Sequence, residues 1–296
     1  MTSNFRREFE PFEKVNASHP DKAADRIAGA LVDYVYCVNK NAKCAFEVLA
    51  GHRLVTVIGE SGVIVPEEFV RATCERILKD DGFVLHYLCV PQDVELAKNQ
   101  AAEVRCGDNG IFKGEPTTET QHLLARISRY IYDVYGTDGK YVIQQTEPDV
   151  YSLIICQSYA TNEQLEQNVR EMEELFGVKL NAIINPLGPW TGGIDVDSGA
   201  TNRKLGSDMA DSATGGGLMG KDLSKADVSV NIYCYAKAQE LGKTVRAKCA
   251  IGDLRVAIET EDNVEFVLYK DIVAFAENYI KMIGGYEKFA EEGLVR

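Results

Sequence analysis

No stretch of this 296-residue chain approaches the ~18 uninterrupted apolar residues that a membrane-spanning helix needs. Its first residues include Arg6, Arg7, Glu8 and Glu10 and hold no apolar core of a secretory leader. A soluble, cytoplasmic protein without membrane contact is expected. Cys-x-x-Cys pairs are missing too. The eight cysteines, Cys37, Cys44, Cys74, Cys89, Cys106, Cys156, Cys234 and Cys249, are scattered. That spacing argues against a clustered metal or disulfide framework and predicts reduced, small apolar side chains. Cys106, just ahead of a glycine turn, is the one expected nearer the surface. Positive charge is short: 32 Lys and Arg face 45 Asp and Glu, a net charge of −13. This balance excludes the broad basic surface that nucleic acid or anionic lipid demands.

Against that acidic background one concentration of cations stands out. Arg203, Lys204, Lys221 and Lys225 fall within residues 199–227, which read Gly199-Ala-Thr-Asn-Arg-Lys-Leu-Gly-Ser-Asp and then Gly215-Gly-Gly-Leu-Met-Gly-Lys-Asp-Leu-Ser-Lys-Ala-Asp227. Glycines let backbone amides approach a ligand, and Arg and Lys neutralise phosphate oxygens. Asp222 and Asp227 beside the lysines could hold hydrated Mg²⁺, which itself binds phosphate. The spacing is not that of a Gly-x-x-x-x-Gly-Lys-[Ser/Thr] loop. Taken alone, the segment reads equally as a solvated, turn-rich loop. Lys140, in Asp138-Gly-Lys140, is a separate cation of interest.

Apolar periodicity predicts helices over 21–39, from Pro66 with Val70, Cys74, Ile77 and Leu78 inward, and over 119–135, 162–176, about 224–241 and 271–282. Pro20 in the first turn, with Ser18 or His19 as cap, marks a helix start. Alternation predicts strands over 45–48, 54–58, 84–90, 141–145, 151–157, 181–184, 244–251 and 255–259. A mobile polar loop is expected from Gln92 to Gly107. The mixture recurs in each third, although no repeat is visible in the residues themselves. An α+β chain follows, with three similar two-layer modules near 1–103, 104–190 and 191–296 and helices packed on mixed sheets.

The remaining motifs gain meaning from their order. Ser18-His-Pro-Asp-Lys22 opens the first helix, where His19 alone reads as a cap. Ala45-Phe-Glu-Val and Val57-Ile-Gly-Glu60 place single carboxylates on two strands; Glu47 could equally pair with Lys43 or Arg53. Cys106-Gly-Asp-Asn-Gly-Ile-Phe-Lys-Gly114, Thr118-Glu-Thr120 and Ile184-Asn-Pro-x-Gly188 follow, then the 199–227 run. Glu60, Asp108 and Asp138 could each be turn residues, and Trp190, the sole tryptophan, a core anchor. In this order the segments resemble the methionine adenosyltransferase (S-adenosylmethionine synthetase) family in a shortened form, with its Gly-His-Pro-Asp-Lys and Gly-Asp-Gln-Gly signatures.

The resemblance implies that family's intertwined modules. It also implies conversion of ATP, L-methionine and water to S-adenosylmethionine, phosphate and pyrophosphate. Methionine sulfur attacks C5′ of ATP, and the released tripolyphosphate is hydrolysed. Sulfur is already nucleophilic, so the chemistry needs alignment and a sink for the leaving charge rather than a general base. The resemblance assigns catalytic roles to His19, Lys140, Arg203, Lys204, Lys221 and Lys225. Glu13, Glu60, Gln92, Asp108 and Ile251 would bind methionine, and Asp138, Trp190 and Asp197 would bind ATP. Asp21 and Asp227 would carry Mg²⁺, two ions per site, and Glu47 would carry K⁺. A homodimer with shared active sites is implied, or a tetramer built from it.

Departures from the family pattern accompany these matches. Ser18 and Asn202 replace glycines, and the segments after Asp208, after Gln92 and at the C-terminus are shortened. Three rival readings remain at this stage. The chain could be a phosphotransferase that releases ADP, a catalytically altered relative acting as a nucleotide-binding regulatory subunit, or an acidic interaction protein.

Overall fold

Where apolar residues recur every three to four positions the chain forms helices, and each of these covers one face of a short sheet. The computed structural model describes residues 9–93, 103–209, 212 and 217–296. The charged N-terminus through residue 8, residues 94–102 of the expected polar loop, and Gly215 and Gly216 lie outside the described residues.

The chain opens with strand β1 (Phe12–Val15), helix α1 (Pro20–Val38), strands β2 (Cys44–Gly51) and β3 (Leu54–Ser61), helix α2 (Glu67–Leu78) and strand β4 (Val84–Val90). Next come β5 (Gly110–Gly114), α3 (Glu119–Tyr135), β6 (Gly139–Glu147), β7 (Val150–Gln157), α4 (Asn162–Phe176) and β8 (Lys179–Ile184). The last part holds β9 (Ser198–Ala200), a short helix α5 (Leu205–Asp208), α6 (Ala226–Leu241), β10 (Val245–Cys249), β11 (Arg255–Glu259) and β12 (Val264–Leu268). Helices α7 (Tyr269–Ile283) and α8 (Tyr286–Glu292) close it.

These strands form three four-stranded sheets with one shared plan: β4-β3-β2-β9, β8-β7-β6-β1 and β12-β11-β10-β5. In each, the strand paired to the first strand of the set comes from a distant part of the sequence. All three of these added strands run antiparallel to their partners. The added strands interlock the chain. Each strand is too short to hold register alone, so its place is set by the partner's exposed edge. The third sheet differs in one respect. β3–β4 and β7–β8 are parallel pairs joined through a helix, whereas β11–β12 is an antiparallel pair.

Mixed sheets covered by helices match the α+β expectation, and several elements depart from it. β1, β5 and β9 carry too few residues for a periodic signal. β12 has no buried residue to mark an inward face, and α8 is seven residues long between Gly285 and Gly293. α6 begins at Ala226 rather than near 224, and β10 stops at Cys249. Three apolar cores lie between helices and sheets. The first seats α1 through Ile27, Leu31 and Val35 against Phe46 and Val57. Burying each such side chain contributes roughly 1.5–3 kcal/mol.

Candidate active site

The sequence gathers its cations in one stretch, and β2 separates them. β9 pairs with one end of β2, with Ala200 opposite Leu49 and Gly199 opposite Ala50. The chain then leaves the edge and returns at its other end, where Lys221 lies opposite Ala45. Four residues of strand separate these contacts, roughly 13 Å. Arg203 and Lys204 therefore serve one acidic residue, and Lys221 another.

The first group forms at the N-terminus of α1. Asp21 is 1% exposed, and its Oδ1 accepts the Ala200 amide at 2.9 Å. Lys204 Nζ lies 3.0 Å from Oδ2, and Arg203 Nη1 lies 3.5 Å from Oδ1. Gly199 is required here, because an added Cβ would overlap the Pro20 carbonyl and the Asp21 amide. His19 caps the helix: its Nδ1 accepts the Asp21 amide at 3.2 Å. That bond leaves the ring proton on Nε2, free to donate. Burial pushes the imidazole down to about 4. Lys204 and Lys140 push the same way, and the pull of Asp21 and Asp197 does not offset them. The ring is neutral near pH 7.

Around this pair stand Asp138, Asp197 and Lys140. Asp138 Oδ2 accepts the Gly193 amide at 2.9 Å, while its buried Oδ1 has no hydrogen-bond partner. Burial raises this carboxyl to about 6; the Gly193 bond opposes that, and Asp197 and Asp21 add to it. Lys140, on β6, pairs with Glu13 on β1 at 2.7 Å. Trp190 is half-buried; its indole donates to Asn185 at 3.3 Å and its carbonyl accepts from Tyr159, a neighbour of Asp138 along a cavity of about 350 Å³. A second cavity, about 370 Å³, is lined by Glu13, Gln121, Arg203, Lys204 and Ser207. Both volumes are in the range of small-ligand sites.

The second group forms at the N-terminus of α6. Asp227 is 7% exposed, with Lys221 Nζ at 3.6 Å. Burial raises its carboxyl, Lys221 lowers it, and Asp108 raises it further. Asp108 and Ile251 lie past paired ends of β5 and β10, where Gly110 faces Cys249 and Ile251 N–H donates to Asn109 at 2.9 Å. Glu60 faces Ala45, which in turn faces Lys221, and Gln92 follows the end of β4 beside Glu60. Lys225 is the residue that precedes α6 as its cap.

Glu13 sits with Lys140. Glu47 is on the exposed face of β2, hydrogen-bonded by Thr201 and opposite Ile58.

Residues 10–95 match the family described as S-adenosylmethionine synthetase, N-terminal domain. The S-adenosylmethionine synthase of Acholeplasma laidlawii is 27% identical to this chain, covering 81% of it and 76% of its own length. That of Thermus thermophilus is 28% identical, covering 83% and 78%, and that of Hyphomonas neptunium 29%, covering 73% and 69%. A solved structure described as an unusual S-adenosylmethionine synthetase from Campylobacter jejuni shares the fold. Its TM-score is 0.71 over 97% of this chain and 94% of that one, at 20% identity. The chain is thus similar to S-adenosylmethionine synthetases over most of its length, and its first third matches their N-terminal domain.

The local departures from the synthetase pattern now have physical accounts. Asn202 adopts φ +67°, the left-handed conformation of the glycine it replaces, and asparagine tolerates it better than most residues. Ser18 takes no positive φ, so glycine's freedom is not used there; its hydroxyl donates to the Gly136 carbonyl at 3.1 Å. Cys106 corrects an expectation. It is fully buried rather than near the surface, and its thiol donates to the Asp108 carbonyl at 2.9 Å. Sequence reasoning missed Lys22, Asp25 and Asp208, which are buried behind Asp21. The one available signal was for Lys22 and Asp25, two charged residues on a helix too apolar elsewhere to be solvent-facing; Asp208, at the end of α5, carried none.

Proposed function

We propose that the chain is a methionine adenosyltransferase, joining the methionine sulfur to C5′ of ATP and then hydrolysing the tripolyphosphate. The observation that carries this reading is the buried Asp21 gripped by Lys204 and Arg203 beside a neutral His19. A sulfur nucleophile needs no base, but the departing triphosphate needs fixed positive charge and a hydrogen-bond donor where its charge develops. Lys204, Arg203 and Lys140 bind the triphosphate oxygens. His19 Nε2–H donates to the oxygen leaving C5′. Asp138, Asp197 and Trp190 hold the adenosine. In the second group, Glu60, Asp108 and Gln92 hold methionine and its ammonium beside Ile251, while Lys221 and Lys225 meet the far phosphates.

In this reading the two groups come together as one site where two chains meet. One face of the sheet between them carries Leu49, Ile58, Val84 and Leu88, each 53–59% exposed. Such an apolar face fits burial against a second copy, and a twofold pairing brings the Asp21 group of one subunit to the Asp227 group of the other. Glu13 then reaches methionine across the interface. A homodimer, or a tetramer of two such dimers, is the functional unit.

Asp21 and Asp227 suit Mg²⁺, a hard cation that commonly takes one or two carboxylates and completes its shell with phosphate oxygens and water. Among the described residues, no group of three His, Cys, Asp or Glu side chains is arranged to hold an ion unaided. The partnerless Oδ1 of Asp138 beside Asp21 fits a site whose polar balance a ligand completes. When bound, Mg²⁺ offsets the charge that builds on the leaving triphosphate. Glu47, a carboxylate on the pairing face, is the candidate K⁺ ligand. The eight free cysteines and the dependence on ATP suit the cytoplasm. No described helix is long and apolar enough to cross a membrane.

Incubating the chain with ATP, Mg²⁺, K⁺ and methionine and recording products by mass spectrometry tests the reading. S-adenosylmethionine with phosphate and pyrophosphate is expected. ADP formed without methionine would overturn it.

A further inference from the structure

Asp21 and Lys22 are neighbours on α1, yet they grip opposite ends of one short element. Asp21 holds Lys204, the residue that opens α5, and Lys22 pairs with Asp208, which ends it. Lys22 and Asp208 are 0% and 1% exposed. Asp25 lies 3.8 Å from Lys22, and its Oδ1 accepts the amide of Asn202, next to Arg203, at 2.7 Å. Lys14, also buried, lies 3.7 Å from Asp208. Four buried charges thus enclose residues 202–208.

The last residues of the chain close this enclosure from outside. The amides of Leu294 and Val295 donate to the Asp208 carbonyl at 2.8 and 3.2 Å. Lys14 Nζ donates to the carbonyls of Glu292 and Val295 at 3.2 and 3.4 Å, and Tyr235 Oη donates to that of Leu294 at 3.1 Å. A buried ion pair is a poor way to gain stability, because apolar residues of the same volume often serve as well or better. It is a good way to fix a geometry in which each partner has one place to be.

We infer that Lys22 and Asp208 are positioning residues for the phosphate cations, and that the main chain of Leu294 and Val295 braces them. The pair locks the end of α5, which sets where Arg203 and Lys204 stand before the triphosphate arrives. Fixed charge of this kind needs no rearrangement during the reaction. The inference rests on the synthetase reading for what the cations bind.

Binding of Mg²⁺–tripolyphosphate by calorimetry, together with steady-state kinetics on the full chain, tests it. Asp208→Asn should weaken tripolyphosphate binding by about tenfold or more. It should lower kcat by about a hundredfold, as expected for misplaced catalytic groups, with the methionine KM within about twofold. A chain ending at Gly293 should show the same pattern, smaller. Arg76→Ala is the control: it removes an exposed pair with Glu287, 2.7 Å at each nitrogen, at the other end of α8. All three quantities should stay within about twofold of the parent. Unchanged tripolyphosphate binding in Asp208→Asn, or a methionine KM that rises in step, overturns the inference. Should Asp208→Asn fail to fold, the shortened chain and Lys14→Met decide, and parental tripolyphosphate affinity in both overturns it. A parent chain that binds tripolyphosphate without making S-adenosylmethionine refutes the activity and leaves the positioning testable. One that binds no tripolyphosphate refutes both.

Discussion

Helices α1, α3 and α6 occupy equivalent places against their sheets, and their first turns are built to different ends. α3 starts with a complete capping box, in which Thr118 and Gln121 satisfy each other's backbone amides, and Thr120 is its second residue. α4 starts the same way with Thr161 and Gln164. α1 and α6 instead carry aspartates, Asp21 and Asp227, at the second position. Their caps are a histidine ring in α1 and, in α6, Lys225 with no side-chain cap bond. A helix N-terminus attracts anions through its free amides and dipole. Where a threonine consumes those amides the helix is a support, and where it does not, its end is free for chemistry. The two aspartates also differ. Asp21 is met by an amide and two cations, whereas Asp227 is paired with Lys221 and its carboxyl is raised by burial.

The largest expected effect breaks the contrast between helices with and without aspartates. Asp21→Asn and Asp227→Asn should each lower turnover by ~100-fold or more, as removal of charge-stabilising groups does, and so should Lys221→Ala. Urea denaturation should separate the aspartates. Asp21→Asn leaves Lys204 and Arg203 without their partner and destabilises the fold. Asp227→Asn removes a carboxylate that burial disfavours and should be neutral or stabilising. Near-parental turnover in both variants would falsify their assigned roles.

The second effect asks whether the groups work across two chains. Asp21→Asn and Asp227→Asn subunits, each inactive alone, should recover activity when unfolded and refolded together. Random pairing makes about half the dimers mixed, each with one intact site, so about a quarter of the parental rate returns. No recovery in a mixture shown to contain mixed dimers would mean that each chain completes its own site.

Smaller effects sharpen the contrast in capping. Thr161→Ala should cost about 1 kcal/mol of stability, the usual value of a lost cap, and leave turnover within about twofold. Lys225→Thr should stabilise by up to about 1 kcal/mol and still lose turnover. Thermal melts beside activity measurements check both. Equal activity losses in the two variants would remove the distinction between supporting and working helix ends.

What the sequence disclosed follows the same division. α1 was legible down to its cap, because His19, Pro20 and Asp21 are local signals. The order of motifs was enough to bring His19, Asp21, Asp108, Lys140 and Asp227 to notice. The separation of Arg203 and Lys204 from Lys221 was not legible, because it arises from where β9 and Lys221 dock on β2. That pairing is non-local and leaves no periodic trace. Lys22, Asp25 and Asp208 were hidden for another reason. Charged residues are expected outside, and only their mutual neutralisation lets them lie within the fold. The pairing of Glu13 with Lys140 was hidden in the same way, because it follows from where β1 docks on β6.

The smallest effect concerns the histidine cap. His19 is held near 4 by burial, below the ~6.5 of a free imidazole. Between those values the unfolded chain takes up a proton that the folded chain refuses. The contribution of this group to stability is therefore fully present above pH ~6.5 and is lost as pH falls towards 4. His19→Gln keeps a donor without a titrating ring. Comparing urea midpoints near pH 7 and pH 5, the variant should lose less stability than the parent on acidification. In the parent, the ring signals absent from the variant's NMR spectrum should stay fixed between about pH 7.5 and 5.5. If they titrate near 6.5, His19 is a cation for much of that range. The leaving oxygen would then meet another positive charge instead of a neutral donor.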